Sequence, residues 1–226
     1  MRAVMFIHRK EYPMIRSALG AALLVAAVTQ AHGQPATMNA SRTSAIEEAA
    51  QPGDIVAFWR EAGPRLWFAK DDAFDRQFRE RFLAAHEQAA RRALDHWTRD
   101  AEGMLALLVL LDQFPRNAFR GSAHMYATDP LARHFARLAI EQGFDAATDR
   151  SLRVFFYLPF EHSEEAADQD LAVRLIGTLD REALEYAQLH RDVIRRFGRF
   201  PHRNSVLGRA TTPAEQAYLD DGGFAG

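Results

Sequence analysis

The chain has 226 residues with 28 basic and 30 acidic side chains, and a formal charge of −2. Such a balance creates no global field that would draw nucleic acid or an anionic membrane, so any electrostatic function must come from local clustering. With no cysteine, disulfides, thiol nucleophiles and zinc–thiolate sites are excluded.

Residues 1–33 have the layout of a secretory signal. Arg9, Lys10 and Arg16 precede the apolar run SALGAALLVAAV (17–28), and small residues follow at Ala31 and Gly33. The run is shorter than the roughly 20 residues that span a bilayer, so no stable membrane span is expected after signal removal. Met14 is an alternative start that gives a more compact signal. The expected location is periplasmic or secreted, with a cytoplasmic protein carrying an extension as the alternative. Residues 34–44 are small and polar, a linker, and 45–226 read as one helical domain.

Within that domain the periodicity is helical almost throughout, and no alternating run reads as a strand. Pro52 opens a short helix carrying Ile55, Phe58 and Trp59, which Gly63 and Pro64 are expected to close. Asp71 or Asp72 caps a longer helix whose Phe74, Phe78 and Phe82 form one aromatic stripe, a core feature. MLALLVLL (104–111) is apolar on every side and predicts a central buried helix. That helix is expected to stop at Phe114, because a residue before proline avoids helical dihedrals.

Asp129 then reads as an N-cap, Pro130 as the first helical position and Gly143 as the stop. LRVFFYL (152–158) halts at Pro159. Ser163 is expected to begin a helix through about Gly177, and Asp180 caps another ending at Gly198. Thr212-Pro213-Ala214-Glu215 is a capping box that starts a last short helix. Short connections between about eight helices imply antiparallel helical hairpins, an all-α fold.

Several stretches together resemble one bacterial family, the domain-of-unknown-function family numbered 924. They are FWR and LWFAKDDAFD within 58–75, LALLVLLDQFPRNAFRG (105–121), ATDPLA (127–132), FFYLPFEHSE (155–164), FGRFPHRNSVLGR (197–209) and GGF (222–224). The resemblance runs from about residue 54 to the C-terminus. It implies a single tetratricopeptide-repeat-like domain, a right-handed array of helical hairpins, and no established reaction.

One piece of grammar occurs twice: Phe-Pro followed by Arg and Asn, at Phe114–Asn117 and at Phe200–Asn204. The second copy lies in a basic segment with Arg195, Arg196, Arg199, Arg203 and Arg209. Upstream sits an acid run with Glu161, Glu164, Glu165, Asp168 and Asp170. Three uses stay open. In the first, the proline frees Arg116, Asn117, Arg199, Arg203, Asn204 and Arg209 to grip an anionic small molecule or a peptide terminus.

In the second use the chain is a hydrolase on an anionic substrate. His162, His190 or His202 would work with Glu161 or Asp168 as acid and base, and Arg116 or Arg203 would stabilise developing charge. In the third, arginine–carboxylate forks only lock helix ends, in a polar network with Asp112, Gln113, Glu161, Glu164 and Gln169. His190 lies on an apolar stripe with Ala187 and Ile194, which reads as a core histidine satisfied by a carbonyl or carboxylate. Glu161 and His162 are adjacent and lack HExxH spacing, so no metal ligand is assigned and no cofactor is implied. Oligomeric state is not set by the sequence.

Overall fold

The computed structural model describes residues 50–225. The signal-like segment 1–33 and the linker 34–44 lie outside them. The described residues are helical throughout, without a strand. None of their helices is long and apolar enough to cross a membrane.

Helix α1 (Pro52–Trp67) is broken at Gly63, as the sequence suggests, and resumes beyond it. Gly63 takes φ +67°, which bends the chain, and Pro64 then restarts the helix at a position where its fixed φ is favourable. Helix α2 (Asp72–Ala90) starts under Asp71, whose carboxylate accepts from the backbone N–H groups of Ala73 (3.0 Å) and Phe74 (2.9 Å). Its Phe74, Phe78 and Phe82 are buried, with Phe58 of α1 stacked on Phe74 and Phe78 at 5.4 and 5.2 Å. Trp59 and Phe155 close the cluster edge-to-face at 5.3 Å. Burying each such ring contributes on the order of 2 kcal/mol.

Helix α3 (Ala101–Leu108) is capped by Asp100, which accepts from Gly103 N–H at 2.8 Å. From Met104 to Leu111 every side chain is buried, as a helix apolar on all sides requires. Gly103 is fixed by packing: a Cβ there would sit 2.2 Å from the Trp97 carbonyl oxygen.

The chain does not stop at Phe114. It widens into a π-helical turn, Val109–Gln113, and continues as α4 (Phe114–Ala118). Pro115 explains both facts. Its nitrogen cannot donate to Leu111 four residues back, and its ring crowds that carbonyl. Widening by one residue lets Phe114 N–H bond Val109 O instead. Three consecutive carbonyls then turn to side chains: Leu110 O accepts from His86 Nδ1 (2.9 Å), Leu111 O from Thr128 (2.6 Å) and Asp112 O from Arg116 (2.6 Å).

Helix α5 (Asp129–Glu141) ends before Gly143, at φ +72°, and α6 (Phe144–Ala147) follows. The LRVFFYL stretch is a short 3₁₀ turn (Arg153–Phe156) rather than a helix, and Pro159 opens α7 (Leu158–Glu161) instead of closing anything. Helix α8 (Ala166–Ile176) begins later than Ser163, because the Ser163 hydroxyl donates to Asp168 (2.8 Å) and accepts from Glu165 N–H (3.1 Å) in the turn before it. Helix α9 (Arg181–Phe197) runs from the Asp180 cap to Gly198 at φ +70° and packs on α8. The Thr212 capping box starts α10 (Pro213–Asp220) as expected.

Candidate functional site

The π turn carries Asp112 into the interior, where it is 1% exposed. Three groups surround its carboxylate. Gln113 Nε2 donates to Oδ2 at 2.6 Å, Arg116 approaches Oδ1 at 3.3 Å, and His162 Nδ1 lies 2.9 and 3.0 Å from the two oxygens. Burial works against the charge on Asp112, but Arg116 and then His162 outweigh it and hold the carboxyl near 2. Asp112 is therefore an anion at neutral pH.

His162 is held away from its charged form. Burial lowers its pKa, the Arg116 cation adds to that, and Asp112 only partly offsets them. A neutral imidazole beside an anionic carboxylate donates its Nδ1 proton to Asp112, which leaves the second ring nitrogen as an acceptor. That nitrogen has no partner among the described residues. The histidine closes α7, and 15% of its side chain remains open.

Arg116 and Arg203 sit on either side of Asp129. Arg116 forks onto both Asp129 oxygens at 2.9 and 3.1 Å, so it is held firmly charged. Arg203 comes from the 3₁₀ turn Pro201–Arg203 and is only 6% exposed. It donates to His162 O at 3.0 Å, but its nearest carboxylate oxygen, on Asp129, is 3.8 Å away. Its Nε is buried without a partner. The guanidinium lies over the rings of Tyr126 and Phe200, 4.5 and 4.3 Å from their centroids, within cation–π range of both. Burial, and then the Arg116 charge, pulls its pKa down to about 10.

Next to these groups opens a cleft of about 320 Å³, within the lower range of small-molecule sites. His162, Arg203, Asp129, Tyr126, Arg133 and Glu165 are among the residues of its wall.

Behind His162 lies a second, drier pair. Burial, aided by the nearby Asp112 charge, raises the Glu161 carboxyl to about 8, so it is protonated at neutral pH. His190 of α9 donates its Nδ1–H to Tyr186 O (2.9 Å) and lies 3.4 Å from Glu161 Oε1. Burial, opposed by that carbonyl, lowers His190 to about 3. Gln169 ties the turn together, donating to the carbonyls of Glu161 and Ser163 at 2.6 Å each.

The remaining sequence candidates serve other partners. Asn117 donates to Asp75 at 2.7 Å, joining α4 to α2. It and Arg116 stand on a helical turn and not on a loop, because Pro115 is its first-turn residue. Arg199 forks onto Glu215 at 2.6 and 2.8 Å. Asn204 is buried beside Glu215, with its Oδ1 unpartnered. Arg209 forks onto Glu164 at 2.7 and 3.0 Å, and Phe200 N–H adds a third bond to the same carboxylate at 2.8 Å. Arg195 meets Asp170 at 2.9 Å. These pairs strap the 195–215 segment to the acid run and to its own last helix. Asp168 is taken by Arg137, Ser163 and, at 3.5 Å, Arg133. His202 packs against Phe200 and Phe224, and burial with the Arg203 charge lowers it to about 4.

Sequence reasoning missed Tyr126, Arg133 and the ion-pairing role of Asp129. Asp129-Pro130 carries a genuine helix-start signal, but Asp129 is the first helical residue and not the cap. In the structure Thr128 takes the N-cap position one residue earlier, so the Asp129 carboxylate is free to serve Arg116.

A solved structure of a protein of unknown function from Agrobacterium tumefaciens is similar to this chain at 58% identity. The match covers 75% of this chain and 97% of that one, with a TM-score of 0.74. No curated protein matches the chain. The Asp112 turn, the Asp129 helix, the His162 turn and the Arg203 turn all fall within residues 55–223, the span that matches the family described as "Bacterial protein of unknown function (DUF924)", and to that family the chain belongs.

Proposed function

We propose that the chain is an acid–base hydrolase acting on a small anionic ester or amide, with His162 as the proton-transfer group. One observation carries the reading: a buried anionic carboxylate orients a neutral histidine at the wall of a ligand-sized cleft. Asp112 fixes the ring and its tautomer, so that the second nitrogen is a base. The cation of Arg203 stands on the same cleft, suited to an oxyanion or to a substrate carboxylate.

The Ser163 hydroxyl is committed to Asp168 and to Glu165 N–H, so the attacking group in this reading is water. His162 removes a proton from water as its oxygen bonds the substrate carbonyl carbon. The C–O or C–N bond then breaks, and the proton passes from His162 to the departing oxygen or nitrogen. The arginine–carboxylate forks at Glu215 and Glu164 hold the turn that delivers Arg203, a structural service to the same site.

The test is turnover on an array of carboxylate-bearing esters and amides, followed by His162→Gln. On the best substrate the variant is expected to lose about 10²–10⁴-fold in kcat. Because the His162 pKa lies below its ordinary 6.5, kcat/KM should be flat at neutral pH and fall only on the acid side. Asp112→Asn should lower kcat with its thermal unfolding checked in parallel. A His162→Gln variant that turns over at the native rate refutes the assignment, as does an array on which the native protein is silent.

A further inference from the structure

The unspent charges of the cleft carry both signs. Of its three acids, Asp129 is forked by Arg116, and Glu164 is forked by Arg209 and bonded by Phe200 N–H. The Glu165 carboxylate alone has no partner among the described residues. Of its two arginines, Arg203 has a buried, partnerless Nε and no carboxylate within hydrogen-bond distance. Arg133 reaches only Asp168, at 3.5 Å, whose oxygens already accept from Arg137 and Ser163.

A purely anionic guest would satisfy the arginines and leave Glu165 unpaired beside it, a like-charge contact that weakens binding. A purely cationic guest would have the reverse problem with Arg133 and Arg203. The volume of about 320 Å³ admits a molecule of metabolite size. Tyr126, Pro130 and Leu207 supply apolar wall for a side chain.

We propose that this cleft recognises a small zwitterion of the amino-acid or dipeptide class, its carboxylate on Arg203 and Arg133 and its ammonium on Glu165. The inference rests on the cleft being the functional site and adds the class of molecule that enters it. Paired arginine donors suit a carboxylate fork, and a free carboxylate suits an ammonium.

The experiment is a thermal-shift screen followed by calorimetry. It uses free α-amino acids and dipeptides, their N-acetyl forms, which keep only the anion, and their C-terminal amides, which keep only the cation. Ligands that bind the folded state raise the melting temperature. Zwitterions are expected to bind at least 10-fold more tightly than either blocked form. Glu165→Gln, an exposed substitution with no partner to lose, should weaken zwitterion binding, remove that preference over the N-acetyl form and, by lifting the like-charge contact, tighten N-acetyl binding. Free amino acids binding while dipeptides do not, or the reverse, identifies which source of zwitterion is read.

Equal affinity for the N-acetyl forms, indifferent to Glu165→Gln, overturns the inference while the anionic-substrate reading stands. A panel without any binder overturns it too. The acid–base reading is decided separately, by the His162 variant and the pH dependence of turnover.

Discussion

Replacing Glu161 by Gln tests the electrostatics of the interior directly. The side chain keeps its shape but can no longer ionise. In the native fold the carboxyl is held near 8 against an ordinary 4.5, first by burial and then by the Asp112 charge. A raised acid pKa means that the folded state keeps a proton the unfolded chain gives up. Its stability contribution is complete below pH 4.5 and drains away as pH climbs to about 8. At about 1.4 kcal/mol per pH unit, that window caps the loss at roughly 5 kcal/mol.

His190, 3.4 Å away, works in the opposite sense. Its pKa near 3 against an ordinary 6.5 makes stability complete above 6.5 and lost as pH falls towards 3. That acid-side loss remains in the variant, whose partner amide cannot titrate. The assay is urea unfolding of both proteins at fixed steps from pH 5 to 9. Near pH 5 the two should agree within about 1 kcal/mol, and by pH 9 Glu161→Gln should be the more stable by several. A difference that stays constant across the window refutes a protonated Glu161.

Two further substitutions probe the frame around the site. Gly103→Ala places a methyl 2.2 Å from the Trp97 carbonyl oxygen, a backbone atom that cannot rotate aside. It should cost about 1–3 kcal/mol, read as an earlier urea midpoint with unchanged slope, and a neutral result contradicts the packing. Asp129→Asn removes the carboxylate that Arg116 forks and that lies 3.8 Å from Arg203. A loss of about 3 kcal/mol is expected. A loss under about 1 kcal/mol would mean that Asp112 alone neutralises Arg116.

The helical class was legible because its signals are local. Asp71, Asp180 and Thr212 cap helices through bonds to residues two or three along, and Gly143 and Gly198 adopt the positive φ that ends them. What the sequence hid was set by contacts between segments. Pro115 reads locally as a stop, yet His86, Thr128 and Arg116 absorb the carbonyls its insertion displaces, so the helix widens and goes on. The residues from Asp112 to Ala118 cannot be placed by periodicity once a π turn shifts the phase. The proximity of Asp112 to His162, fifty positions apart, follows from that shift and from nothing local. The arginines were visible as a cluster, but which of them still has an unmade bond depends on Glu164, Glu215 and Asp129 arriving from elsewhere.

The contrast between the two kinds of charge in this protein argues for a working interior. Arg199–Glu215 and Arg209–Glu164 are partly exposed forks that fix a loop, and two-charge forks suffice for that task. The inner group could have been replaced by apolar side chains of similar volume at little cost, since desolvation consumes most of what a buried ion pair returns. It holds instead an anion near 2, a neutral histidine bonded to it, and a protonated acid near 8 beside a histidine near 3. Titratable groups pushed apart in opposite directions fit the proton transfer proposed above. Proton transfer requires that separation. His162 alone among these groups combines a bonded carboxylate with a place on the cleft wall, so in the proposed reaction the proton path runs through its unpartnered ring nitrogen.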